Sequence, residues 1–212
     1  MLLSGANAVV YGAGGVVGSA VALALARGGA RVHLAGRSRS RLDTVVRRIT
    51  DLGGHAEAQV IDVLDEVDVD EYVDVVAACS GSIDISVDLV GPTPFGEHHD
   101  RVDHTELAEL EGPVLGALRS HFITARAAAR HMVCQHSGVI LVPHRAAVTA
   151  GLDGASLAAA LLDRLAEQLA GQLASSGVIV RPVDLDPSES GEDIGRRVVA
   201  AVTGGDSALA AV

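Results

Sequence analysis

Four polar side chains that could form a catalytic set, two of them histidines, fall at or between the predicted ends of strands. Asp88 directly follows one predicted strand, His144 and Arg145 follow another, and His121 lies in the helical stretch between them. Histidine titrates near neutral pH, and a nearby carboxylate can orient its ring, so such a set can act as general acid or base. This chemistry would serve cyclisation, dehydration or isomerisation of a small carbonyl compound. A single histidine in a helix is, however, more often a packing residue than a catalyst.

A glycine-rich turn separates the first predicted strand from the first predicted helix. It reads Gly12-Ala13-Gly14-Gly15-Val16-Val17-Gly18. Glycines at such a turn allow a tight bend and the close approach of a pyrophosphate to the N-terminus of a helix. We therefore predict that Gly12, Gly14, Gly15 and Gly18 bind a dinucleotide. The alternative is a turn that keeps its shape but has lost its ligand.

The segment after the second predicted strand bears on the choice of cofactor. It carries no acidic residue that would bind the ribose hydroxyls of NAD. Arg37, together with Arg39 or Arg41, would instead suit a 2′-phosphate, so NADP is the predicted cofactor. These arginines could equally be a solvated start of the next helix.

Short β-branched runs alternate with Ala/Leu-rich helical stretches along the whole chain, and these elements must position the candidate residues. The predicted strands cover residues 8–11, 31–34, 58–61, 83–87, 139–142 and 178–183. Helices are predicted between them, including a long one that ends near Val133 and another marked by leucines every four residues from Leu157 to Leu173. This alternation predicts an α/β fold: a Rossmann-type, doubly wound parallel sheet in three layers, as a single domain over residues 1–212.

The order of elements and the glycine turn resemble the short-chain dehydrogenase/reductase family over nearly the whole chain. The turn fits the G-x-x-x-G-x-G spacing of that family, with Gly12 and Gly18 matched and Val16 in place of the middle glycine. A side chain there would crowd the phosphates. The resemblance implies dinucleotide binding, with Asp62 contacting the adenine.

The catalytic residues of the family are replaced in this sequence. The Tyr and Lys of its Tyr-x-x-x-Lys motif fall on Ala155 and Ala159, and the chain contains no lysine at all. His144 or Arg145 stands at the position of the family's Ser, and His121 at that of its helix Asn. The resemblance thus implies that these residues and Asp88 face the former active-site cleft. Ordinary hydride chemistry is not expected, because a positioned general acid contributes roughly 10²–10⁴ in rate.

Composition excludes several other classes of function. The formal net charge is −11, and without a basic stripe nucleic acid is not an expected partner. Cys79 and Cys134 are far apart and are expected to be buried, free thiols. Neither a membrane span nor a signal peptide is predicted, which favours the cytoplasm. The segment around His98, His99 and Asp100 is interpreted as a solvated flap, and no metal site is predicted.

Three functional hypotheses follow. The first is a non-redox enzyme of a biosynthetic pathway, for example in secondary metabolism, that uses the former cleft on a small-molecule substrate. The second is a catalytically silent subunit paired with an active member of the family. The third is an atypical NADPH reductase in which His144 donates the proton. In the family, the helix with the leucine stripe also forms a dimer interface, so a homo-oligomer, or a hetero-oligomer with an active relative, is expected.

Overall fold

The computed structural model describes residues 2–91, 102–144, 153–185 and 189–204, which contain one six-stranded sheet. The strands lie in the order β3-β2-β1-β4-β5-β6, and every neighbouring pair is parallel. Their bounds are β1 Asn7–Tyr11, β2 Arg31–Gly36, β3 His55–Val60, β4 Ile85–Asp88, β5 Gly138–His144 and β6 Val178–Asp184. The α/β fold with a doubly wound parallel sheet is confirmed.

Six described helices cover the two faces of this sheet. They are α1 Val16–Arg27, α2 Arg39–Asp51, α3 Glu66–Ser80, α4 Leu107–Gln135, α5 Gly154–Leu173 and α6 Gly191–Thr203. One apolar core lies between the sheet and α1, α2 and α6, and a second lies between the sheet and α3, α4 and α5. All five residues of β1 are buried because β1 is central and covered on both sides.

The strand order reverses direction between β1 and β4. The chain winds outward from β1 through β2 to β3, then returns to add β4, β5 and β6 on the other side. In sheets of this kind the crevice for a ligand opens at the carboxyl ends of the strands beside the reversal. The residues that end β1, β4 and β5 therefore share the edge where ligands bind.

The leucine stripe predicted for α5 borders the buried face of the helix, because Leu165, Leu169 and Leu173 pack partly buried against the core. Gly154, Ala158, Leu162 and Ala166 are the buried residues, whereas Leu157 is exposed. The small residues let α5 approach its neighbour closely: a β-carbon on Gly154 would lie 2.6 Å from the carbonyl oxygen of Glu109 in α4. Close packing of the two helices thus occurs on the row of small residues, beside the leucine stripe.

The two cysteines differ from expectation in their surroundings. Both are free, as predicted, but both are exposed rather than buried. Cys79 and Cys134 each lie in the last turn of their helix, α3 and α4, where the chain leaves the core. Apolar neighbours in the sequence were therefore a poor guide to the burial of their thiols.

Candidate functional site

The glycine turn between β1 and α1 is held in shape by contacts that only glycine allows. Gly12 has a φ of +71°, in the left-handed region. A β-carbon on Gly18 would lie 2.2 Å from the carbonyl oxygen of Gly12, so α1 packs directly on the turn. These two glycines fix the direction in which the N-terminus of α1 points.

The start of α1 leaves backbone amides available to an anion. Gly15 is the N-cap and provides no side-chain hydrogen bond, and its own amide donates to the carbonyl of Gly12 at 3.0 Å. The first-turn amides of a helix have no partner within the helix, and with the helix dipole they favour a phosphate. Val16, the first residue of α1, is 82% exposed and projects from this end of the helix.

One of the arginines in the segment after β2 lies against the turn. A β-carbon on Gly14 would be 3.0 Å from the β-carbon of Arg41, so this residue of α2 lies against the turn. Arg39 is already engaged, because it donates to the carbonyl of Ala58 at 2.9 Å and lies 3.6 Å from Asp43. Arg37 is exposed and makes no hydrogen bond or ion pair with any residue that the structure describes. Of the predicted set, Arg37 and Arg41 are therefore free to meet an anion.

Asp62 lies just beyond β3, on the same side of the fold as β2. Its Oδ1 accepts a hydrogen bond from the amide of Leu64 at 3.0 Å, and the residue is exposed. This bond orients the side chain and leaves its second oxygen to a ligand. The placement is compatible with the predicted contact to adenine, which stays a prediction.

Asp88 and His121 are brought together, but in the interior. Both are about 4% exposed, and Oδ2 of Asp88 lies 3.5 Å from Nδ1 of His121. The same Nδ1 lies 3.0 Å from the carbonyl oxygen of Ala117. A carbonyl only accepts, so the proton of the neutral ring belongs on Nδ1. Nε2 is buried without a partner among the described residues.

The remaining bonds of Asp88 fix the end of β4. Its Oδ1 accepts from the amide of Val90 at 2.9 Å, and Thr124 donates to its Oδ2 at 3.4 Å. Solvent does not reach the Asp88–His121 pair in this structure. The pair links β4 to α4 underneath the ligand edge, and its predicted catalytic role stays a prediction.

Of the candidate catalytic residues that the structure describes, His144 is the one open to solvent, and it has a partner that the sequence did not predict. It is the last residue of β5, and its Nδ1 lies 2.6 Å from Oδ1 of Asp163 in α5. The two side chains are 39% and 40% exposed. Asp163 lies four residues beyond Ala159 and eight beyond Ala155, so all three share one stripe of α5. That spacing was the signal in the sequence that could have revealed it.

The two tyrosines do not replace the missing catalytic phenol. Tyr11 and Tyr72 are buried and pack edge to face, with ring centroids 6.4 Å apart. Burial raises the pKa of Tyr11 well above its ordinary value, and the neighbouring Tyr72 and Asp88 raise this pKa further. Burial likewise raises the pKa of Tyr72. Neither phenol is placed to exchange a proton at the ligand edge.

Some predicted residues lie outside the described part of the chain. Arg145 is one of them, and so are His98, His99 and Asp100 of the predicted flap. Within the described residues, no group of three or more His, Cys, Asp or Glu side chains is arranged to hold a metal ion. None of the described helices is long and apolar enough to cross a membrane.

Comparison with known proteins identifies the family. The family model for short chain dehydrogenases matches residues 6–185. The chain belongs to the short-chain dehydrogenase family. It is 34% identical over 145 residues to gluconate 5-dehydrogenase of Gluconobacter oxydans, covering 66% of this chain and 53% of that one. It is 31% identical over 157 residues to 2,3-dihydro-2,3-dihydroxybenzoate dehydrogenase of Bacillus subtilis, covering 74% of this chain and 58% of that one.

Solved structures of other short-chain dehydrogenases have the same fold over most of the chain. A metagenomic short-chain oxidoreductase in complex with NADP superposes with a TM-score of 0.83 at 28% identity, covering 96% of this chain and 93% of that one. A short-chain type dehydrogenase/reductase from Mycobacterium marinum superposes with a TM-score of 0.83 at 25% identity, covering 94% of this chain and 88% of that one. Against the curated relatives named above, the chain spans somewhat more than half of their length.

Proposed function

We propose that this short-chain dehydrogenase is an NADP(H)-dependent oxidoreductase acting on a small carbonyl or alcohol compound. The observation that carries the proposal is the glycine turn, in which Gly18 packs on Gly12 and the first-turn amides of α1 are presented. Arg41 lies against this turn, and the exposed Arg37 comes directly after β2. The NADP complex of a structural neighbour and the dehydrogenase names of the relatives add support.

The residues that would hold the nucleotide follow from the geometry at the carboxyl ends of the strands. The amides at the start of α1 would bind the pyrophosphate, and Gly14 and Gly15 would leave space for it. Arg37, with Arg41 beside the turn, would bind the 2′-phosphate, and Asp62 would face the adenine. When bound, the nicotinamide would supply or accept a hydride. The chain itself must then hold and move the accompanying proton.

Calorimetric titration of the purified protein with NADPH and with NADH tests this proposal. We expect NADPH to bind in the micromolar range and NADH at least about tenfold more weakly, because a charged hydrogen bond to the 2′-phosphate contributes about 1.5–3 kcal/mol. Absence of binding at millimolar NADPH would overturn the proposal. The non-redox enzyme and the silent subunit would then be the remaining hypotheses.

We further propose that the protein assembles through α4 with a second copy of itself. Leu115, Leu118 and Phe122 are exposed and recur at spacings of three and four residues, so they lie on one side of α4. An apolar row of this kind on a helix commonly marks a contact with another protein. Sedimentation velocity should show a dimer or larger assembly for the wild type. Phe122→Glu should shift it towards the monomer, whereas Leu52→Glu, at an exposed leucine after α2, should not.

A further inference from the structure

We propose that His144 is the acid–base residue of this protein, with Nε2 as the atom that gives and takes the proton, and that Asp163 positions it. The proposal rests on the proposed NADP(H) function, because it supplies the proton that must accompany a hydride transfer. It assigns a role to Asp163, which lies outside the Ser, Asn, Tyr and Lys positions that the family uses.

The bond to Asp163 decides where the proton of the ring lies. At 2.6 Å, Oδ1 of the carboxylate can only accept, so Nδ1 of His144 must donate. The imidazole of His144 makes no other hydrogen bond within the part of the chain that the structure describes. Nε2 is therefore the nitrogen without a partner, and it belongs to a side chain that is 39% exposed. A carboxylate that fixes one ring nitrogen and leaves the other free is the arrangement that a histidine acid–base catalyst requires.

Asp163 is the carboxylate available for this role. The other acidic residue next to His144 is Asp184, its register neighbour on β6. Arg197 engages Asp184, donating to its backbone oxygen at 2.8 Å and lying 3.8 Å from Oδ2. Asp163 has no arginine partner among the described residues, so its charge acts on the imidazole alone.

The position of His144 suits the reacting end of a dinucleotide. A dinucleotide crosses the carboxyl edge of the sheet at the reversal of strand order, with its pyrophosphate at α1. One nucleoside then lies towards β2, where Arg37 is, and the other lies towards β4 and β5. His144 ends β5, the strand next to β4. It therefore stands on the side where the nicotinamide and substrate belong.

The proton balance of the step is simple. The bound nucleotide would supply a hydride to the carbonyl carbon and would thereby be oxidised to NADP⁺. As the π-electron pair of the C=O bond moves onto oxygen, Nε2 of the imidazolium gives its proton to that oxygen, which completes the alcohol. The ring is left neutral with its proton on Nδ1, still donated to Asp163, and solvent returns a proton to Nε2. In the reverse direction the neutral Nε2 accepts the proton of the alcohol.

Nitrogen NMR of histidine-labelled protein tests the dyad without a substrate. At alkaline pH, where the ring is neutral, we expect the ¹⁵N shifts of His144 in the wild type to report the proton on Nδ1. Asp163→Ala should lose this preference, Asp163→Asn should keep part of it because the amide oxygen still accepts, and Asp184→Asn should leave it unchanged. A wild-type ring with its proton on Nε2, or no response to Asp163→Ala, would overturn the proposal.

Chemical modification tests whether Nε2 faces the nucleotide. Diethylpyrocarbonate acylates the free ring nitrogen, and mass spectrometry locates the label. Saturation with NADP⁺ at about ten times Kd should slow labelling of His144 about tenfold, because only the nucleotide-free fraction reacts. Labelling of the exposed His55 should not change. Calorimetric binding without protection of His144 would overturn the acid–base assignment alone, whereas absence of binding would overturn the NADP(H) function.

Discussion

The carbonyl oxygen of Gly12 lies 2.2 Å from the point that a β-carbon on Gly18 would occupy. Real β-carbons do not lie that close to another atom, so residue 18 cannot carry a side chain unless the backbone of Gly12 shifts. The contact places the first turn of α1 directly behind the end of β1. The proposed nucleotide site depends on that placement.

Replacement of Gly18 by alanine should therefore damage both stability and binding. We expect Gly18→Ala to lower the free energy of unfolding by more than about 2 kcal/mol, because the backbone of Gly12 must shift. Gly171→Ala is the matched control: a β-carbon on this glycine of α5 meets nothing within 4 Å. It should raise stability by about 0.5–1 kcal/mol. Urea unfolding measures both, and equal effects of the two variants would contradict the packing described.

Arg37 should determine the preference for NADPH over NADH. Arg37→Ala should weaken NADPH binding about 10–100-fold and leave NADH binding nearly unchanged, because only NADPH carries the 2′-phosphate. Arg48→Ala, in the last turn of α2 and also exposed, is the control for loss of positive charge. Calorimetric titration of both variants gives the answer. A similar loss of affinity for NADPH and for NADH in Arg37→Ala would show that Arg37 does not contact the 2′-phosphate.

Val16 should limit affinity for the nucleotide. Its exposed side chain projects from the end of α1 that would receive the pyrophosphate. Removing it in Val16→Gly should tighten NADPH binding about fivefold, a gain of about 1 kcal/mol from relieved crowding. Val67→Gly makes the same change at an exposed valine in the first turn of α3 and should not affect binding. Weaker binding by Val16→Gly would show that the valine contacts the ligand favourably.

His33 should make the protein less stable in mild acid. Burial in β2 lowers the pKa of His33 from 6.5, and the nearby Glu57 opposes this only in part. In mild acid the unfolded chain therefore binds more protons than the folded protein, so stability falls as pH drops below about 6.5. His33→Gln should flatten the dependence of urea midpoints on pH between about 5 and about 7. His55→Gln, at an exposed histidine, should leave this dependence unchanged. Equal slopes of urea midpoint against pH for the wild type and His33→Gln would refute this account.

The sequence was a good guide wherever the backbone alone sets the geometry. Alternating strands and helices predicted the parallel sheet, and the glycines predicted the turn at α1, because both depend on local pattern. In α5 the fully buried row lies one residue away from the leucine stripe, whose Leu165, Leu169 and Leu173 pack partly buried beside it. Leucines every four residues marked an apolar face, but Gly154 and Ala158 allowed closer packing and form the buried side.

The partners of the candidate residues were less predictable, since they depend on contacts between distant segments. Asp163 is nineteen residues from His144, and its bond to the ring exists because α5 runs back beside β5. His121 and Asp88 were expected at an open cleft, yet both are buried beneath the ligand edge. The types of these residues were visible in the sequence, and their exposure was not.

A crystal structure with NADP⁺ tests the central claim most directly. We expect the pyrophosphate on the amides at the start of α1, the 2′-phosphate within hydrogen-bond distance of Arg37, and the nicotinamide ring beside His144. A nucleotide bound away from the glycine turn, or a glycine turn left empty in crystals grown with saturating NADP⁺, would contradict the account.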